Sequence, residues 1–120
     1  MIFKSDKWKL DTEKITVTNL ETGRITAFHE DFIRYHLHYR EEYSPELLQK
    51  AVDEGIVLQH LEDLAINVKD KIEEQKELWL NEDKAYLVAL ENGNLLEVGR
   101  IANVYKELAK ESVYASMVYV

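Results

Sequence analysis

No cysteine occurs anywhere in the 120 residues, and that single absence removes disulfides, thiolate metal sites and cysteine nucleophiles together. A secreted, stapled scaffold is therefore not expected, and the cytoplasm is the expected location. Proline occurs once and glycine four times, too few for a low-complexity or linker-rich chain. No run approaches the ~18 apolar residues that span a bilayer, and the opening MIFKSDKWKL lacks the apolar stretch and small-residue cleavage site of an export signal. The four serines, Ser5, Ser44, Ser112 and Ser116, stand in no nucleophile-elbow or glycine-rich setting. Catalysis is not expected, and no cofactor is called for.

What is present describes an ordered soluble domain: 46% of residues are hydrophobic and 32% charged. A chain of 120 residues lies within the usual size of one domain, so residues 1–120 read as a single unit. The net charge of -8 is unevenly placed. Residues 1–28 hold five Lys/Arg against four Asp/Glu, residues 29–92 hold seven against sixteen, and residues 93–120 hold three of each. An acidic field repels phosphate backbones, so direct nucleic-acid binding is not expected. The exception would be a basic strip at Lys4, Lys7, Lys9, Lys14 and Arg24, where acids interleave.

The segment KITVTNLETGRITAF alternates with period two around Gly23 and predicts a β-hairpin, with Ile15, Val17, Ile25 and Phe28 leaning on helices. From Phe32 the period becomes 3.6, and Phe32, Tyr35, His36, Tyr39 and Tyr43 share a stripe. A short helix follows, with Ser44 as cap, Pro45 at its first position and Gly55 as its stop. The longest helical pattern covers residues 56–80, and its Leu58, Ile66 and Leu80 lie off the main stripe, which predicts a homodimer contact there. Asn81 reads as the cap of a short helix whose centre, AYLVAL, is apolar almost all round and should be buried. The last helix carries a stripe from Leu95 to Ser112, with Gly99 marking a close crossing, and continues to about Ala115. The fold class is mainly α within α+β: a hairpin region at 1–28 packed on a bundle of about five helices at 29–120.

The layout from YHLHYREEYSP through LLQKAVDEG and the long helix to VGRIANV and the terminal SMVYV resembles the transposon-encoded TnpV family, over roughly residues 29–120. The resemblance implies a mobile element or phage as the source. It brings no established activity and no catalytic residue.

His36 and His38, two apart on a helix, point about 200° away from each other and cannot share a metal. His36 is expected at the edge of the aromatic stripe, His38 in water and His60 on the surface. Two candidate partner-binding surfaces remain. One is aromatic, Tyr35, Tyr39 and Tyr43, since tyrosine suits positions with one apolar and one wet end. The other is acidic, Glu41, Glu42, Glu62, Asp63, Glu73 and Glu74. The leading expectation is a non-enzymatic mobile-element or phage accessory protein acting through protein–protein binding. An alternative is an acidic inhibitor that blocks the nucleic-acid channel of a host nuclease or CRISPR effector, and a third is a nucleic-acid-binding adaptor using the basic front end.

Overall fold

The computed structural model describes residues 1–120. Four strands, β1 (Ile2–Lys4), β2 (Trp8–Asp11), β3 (Thr16–Asn19) and β4 (Ile25–Ala27), pair in chain order as an antiparallel meander. The predicted hairpin is β3–β4, and a second hairpin, β1–β2, precedes it. Turn chemistry sets both later connections. The Asp11 carboxylate accepts from the N–H groups of Glu13 and Lys14 at 2.9 and 3.1 Å, and the Asn19 side chain accepts from those of Glu21 and Thr22 at 2.9 and 3.2 Å. Gly23 takes φ 77°, a conformation a Cβ would oppose.

Register decides which strand residues reach the core. Phe3 stands opposite Leu10, Leu10 opposite Val17 and Val17 opposite Thr26, and the three apolar members of this row are buried. The adjacent row, Lys4, Lys9, Thr18 and Ile25, faces away. Ile25 is therefore 64% exposed and does not lean on the helices as its hydrophobicity predicts.

Five helices follow: α1 (Asp31–Tyr43), α2 (Pro45–Asp53), α3 (Val57–Glu82), α4 (Lys84–Glu91) and α5 (Leu95–Val113), which passes into a π-helical turn at Tyr114–Val118. The architecture is thus the predicted α+β arrangement, an N-terminal β layer against a helical bundle. Pro45 opens α2, while Gly55 and Gly93, at φ 73° and 68°, close α2 and α4. Two caps fall elsewhere than predicted. Ser44 gives its own N–H to the Arg40 carbonyl, closing α1 at 2.8 Å, and makes no side-chain cap to α2. α3 runs through Asn81, and Asp83 caps α4 by accepting from the Tyr86 N–H at 2.9 Å.

One cluster of 19 buried residues joins sheet and helices, including Phe3, Leu10 and Val17, Ile33 and Leu37 of α1, Val52 of α2, Leu61 and Val68 of α3, Val113 and Val118. The end of the chain is core, with Ala109, Val113 and Val118 in this cluster and the last turn packed against α1 and α3. The predicted stripe, however, is buried only at Ile101 and Ala109: Leu95 is exposed because the first half of α5 lies beyond the core, and Leu108 and Ser112 are exposed as well. The molecule is nonetheless long, 60 × 28 × 20 Å. Its radius of gyration of 18.5 Å exceeds the roughly 14 Å of a compact chain this size. The excess is an arm: the second half of α3 extends past the core, α4 turns across its tip, and α5 returns antiparallel, with the Trp79 and Tyr105 rings 6.0 Å apart.

The arm overturns three expectations. AYLVAL is not buried: Ala89 alone is, and Leu87, Val88 and Leu90 are exposed because a short helix at a tip has neighbours on one side only. Gly99 is exposed with nothing within 4 Å of where a Cβ would stand, so it marks no crossing. Leu80 is buried inside the arm and Leu58 is half-buried, which leaves only Ile66 of the predicted dimer contact in solvent.

Candidate functional site

The C-terminal residues are fastened to α1 by two side chains one turn apart. His36 Nδ1 lies 2.8 Å from the Val118 carbonyl, and Arg40 Nε donates to the Val120 carbonyl at 3.1 Å. Between those anchors Tyr119 is laid against α1. Its ring stacks on Tyr35 at 6.4 Å and meets Tyr39 edge-on at 5.9 Å, while Tyr39 and Tyr43 are 4.8 Å apart. Tyr114 closes the row against Tyr35 and Phe32 at 6.3 and 6.0 Å.

The structure thus brings the three predicted tyrosines together and adds a fourth from the far end of the chain. With His38 and Glu42 they line an open groove of about 340 Å³. Tyr35 is 40% and Tyr43 66% exposed, so these rings are offered to solvent rather than absorbed into the core. Nothing local in the sequence marks Tyr119 as a member. The signal lies in the pairing of His36 and Arg40 with a terminal Val-Tyr-Val, a contact between residues about eighty positions apart that no periodicity reveals.

The acidic candidates do not form one face. The Glu41 carboxylate lies 3.6 Å from the N-terminal amine and accepts from the Thr12 hydroxyl at 3.2 Å, fastening the sheet to α1. Glu42 lines the tyrosine groove. Glu62, Asp63, Glu73 and Glu74 are exposed on α3. Glu73 pairs with Lys76 at 2.8 Å, Glu74 with Lys71 at 3.3 Å, and Asp63 accepts from Gln59 at 2.7 Å. α1 runs antiparallel to α3, since Glu30 meets Lys69 and His36 meets His60. Glu42 and Glu73 therefore lie about 29 Å apart along the bundle.

His36 and His60 are not edge and surface residues. His36 is fully buried, His60 is half-buried, and their Nε2 atoms are 2.9 Å apart. A carbonyl only accepts, so the His36 proton is on Nδ1, its Nε2 accepts, and the His60 Nε2–H donates. Burial pushes His36 down to about 4, with Arg40 and His60 adding to the shift. Burial also lowers His60, again with Arg40. A neutral pair is the form that this geometry accepts. No three His, Cys, Asp or Glu side chains converge on one point. His38 is exposed as predicted, and its Nε2–H donates to the Thr12 carbonyl at 3.2 Å.

The basic strip is broken in place. Lys4 and Lys9 face each other across β1 and β2, but Lys7 pairs with Glu21 at 3.8 Å and Asp11 shares the outward face with Lys9. No helix is long and apolar enough to cross a membrane.

No family model, no curated protein and no solved structure matches this chain. The functional reading rests on the groove and on the distribution of charge.

Proposed function

We propose that this protein is a non-enzymatic accessory protein of a mobile element or phage that acts in the cytoplasm by binding another protein, and that the tyrosine groove is where it binds. The observation that carries the reading is the convergence of Tyr35, Tyr39, Tyr43 and Tyr119 on an open surface that Glu42 also lines. Tyrosine faces with polar rims are the side-chain chemistry of protein contacts. A carboxylate beside aromatic faces selects a cation, and a planar guanidinium satisfies both at once through a charged hydrogen bond and a ring contact. The partner segment is accordingly basic and bears arginine. The net charge of -8 steers such a segment toward the surface. The source is supported by the resemblance of VGRIANV and the terminal VYV to the TnpV family.

Nucleic-acid-binding proteins are rich in arginine-bearing clefts, so a host nuclease falls within this partner class. Imitation of duplex DNA by the acidic doublets is the less favoured route to such a partner. Glu73 and Glu74 each have a lysine, Glu41 has the N-terminus, and six acids over about 29 Å are sparse beside one charge per ~1.7 Å of duplex.

The test is capture of partners from nuclease-treated lysate of the host by the protein and by its Glu42→Lys, Tyr43→Ala variant. A protein retained by the parent and lost from the variant, with circular dichroism unchanged, is the expected result. A catch that disappears on nuclease treatment, or that the variant keeps in full, would overturn the reading.

A further inference from the structure

The arm carries an apolar surface on a part of the molecule that has almost no interior. From residue 73 to residue 108 only Leu80, Ala89 and Ile101 are buried, and none of the three belongs to the main cluster. Against them stand eight exposed aliphatic side chains, Leu78 and Leu108 along the arm and six toward its tip, Leu87, Val88, Leu90, Leu95, Leu96 and Val104, with Leu95 79% and Leu96 90% in solvent. Three buried side chains, with half-buried Trp79, Tyr86, Val98 and Tyr105 beside them, are few to set against the entropy of ordering two helices and the end of a third. An arm in that position is kept ordered by a cover that is always present, and the cover that accompanies every copy of the chain is another copy.

We infer that the tips of two molecules pack against each other, α4 and the first half of α5 of one copy on the same elements of the next, to form a two-fold dimer. Area and charge both fit this occupant. A fully exposed Leu or Val side chain offers on the order of 100 Å² of apolar surface, so the six exposed side chains toward the tip supply roughly 400 Å² per copy. A standard interface takes about 800 Å² from each partner, about two thirds of it apolar in homodimers. The tip provides most of that apolar part, and its polar rim provides the rest.

The rim is also a region where two copies of an acidic protein meet without net repulsion. Residues 84–108 carry Lys84, Arg100 and Lys106 against Glu91, Glu97 and Glu107, which balance, whereas the chain as a whole is at -8. Tip-to-tip packing places the acidic bodies at opposite ends of a particle on the order of 100 Å long, far beyond the ~8–10 Å over which salt leaves charges visible to one another. It also leaves both tyrosine grooves free, at the ends remote from the contact. The inference is independent of the proposed function, because it uses none of the groove residues.

Light scattering on the eluted protein at micromolar concentration tests it. The parent is expected at twice 14.1 kDa, and the Leu95→Glu, Leu96→Glu variant at 14.1 kDa. Because the chain lacks cysteine, a second experiment avoids any question of folding: Leu96→Cys treated with a short bismaleimide should give a covalent dimer, and Ile66→Cys, exposed on the body, should not. A parent that stays at 14.1 kDa at 100 µM (about the upper end of working concentrations), a double variant that keeps the doubled mass, or equal crosslinking from both cysteines would overturn the inference. The first of these outcomes would assign the apolar tip to a foreign chain.

Discussion

His36 and His60 face each other through their Nε2 atoms at 2.9 Å, and the opposite nitrogen of His36 holds the Val118 carbonyl at 2.8 Å. One neutral imidazole therefore links the start of α3 to the end of the chain. Adding a proton to His36 Nε2 would set two N–H groups against each other unless His60 shifts its own proton.

That relationship makes stability depend on pH. The folded chain holds His36 at about 4, while the unfolded chain titrates it near 6.5, so between those values the unfolded state binds the extra proton. Stability is complete above about 6.5 and falls as the pH is lowered toward 4, by about 1 kcal/mol per pH unit for one such ring. His60 is shifted in the same direction and steepens the loss. Thermal melts at pH 7.5, 6, 5 and 4.5 should show this decline, and His36→Gln should flatten it. A melting temperature constant from 7.5 to 5 would contradict it.

Removing Val118, Tyr119 and Val120 takes away a buried valine, the acceptor of His36 and the ring that Tyr35 and Tyr39 embrace. Leaving a buried donor unpaired costs about 1–3 kcal/mol, and losing a buried valine adds about 1.5–3. The truncated protein should melt well below the parent in a calorimetric scan. Unchanged melting would mean that the tail is not fastened.

Leu61 is fully buried at the centre of the main cluster, and Leu61→Ala should cost about 2–5 kcal/mol in a urea titration. Leu96→Ala, on the exposed tip, should leave the urea midpoint of dilute protein nearly in place.

Asp83 both caps α4 and accepts from the Tyr105 hydroxyl, tying the tip to α5. The hydroxyl bond, followed by the cap, lowers the Asp83 carboxyl, so this tie is made at neutral pH and is released only in acid. In hydrogen exchange, Asp83→Ala should speed α4 amides several-fold and leave α3 amides near Leu61 unchanged. Equal rates in α4 would show that the cap does not hold it.

Much of this fold is legible in the sequence where the pattern is local. The period-two run from Ile15 to Phe28, the switch to 3.6 at Phe32, and the turns at Gly23 and Gly55 find their places. The β1–β2 hairpin escapes because its strands are three and four residues long and show only Phe3, Trp8 and Leu10 to the core among outward charges. AYLVAL misleads because an apolar helix reads as buried whatever surrounds it, and its exposure follows from its place at a tip. The Tyr35, Tyr39 and Tyr43 stripe is readable from four-residue spacing. Tyr119 and the His36–His60 contact depend on which distant segments meet, and the sequence pattern does not contain that information.

The claim that the tyrosine groove binds a protein is tested most directly by a photocrosslinking amino acid placed at Tyr43, with one at Glu107 on α5 as the control, in cells that carry the natural partner. The account predicts a discrete crosslinked protein from position 43 that is absent from position 107 and is lost when Glu42→Lys is added. A crosslink to nucleic acid, the same product from both positions, or no product from position 43 would contradict it.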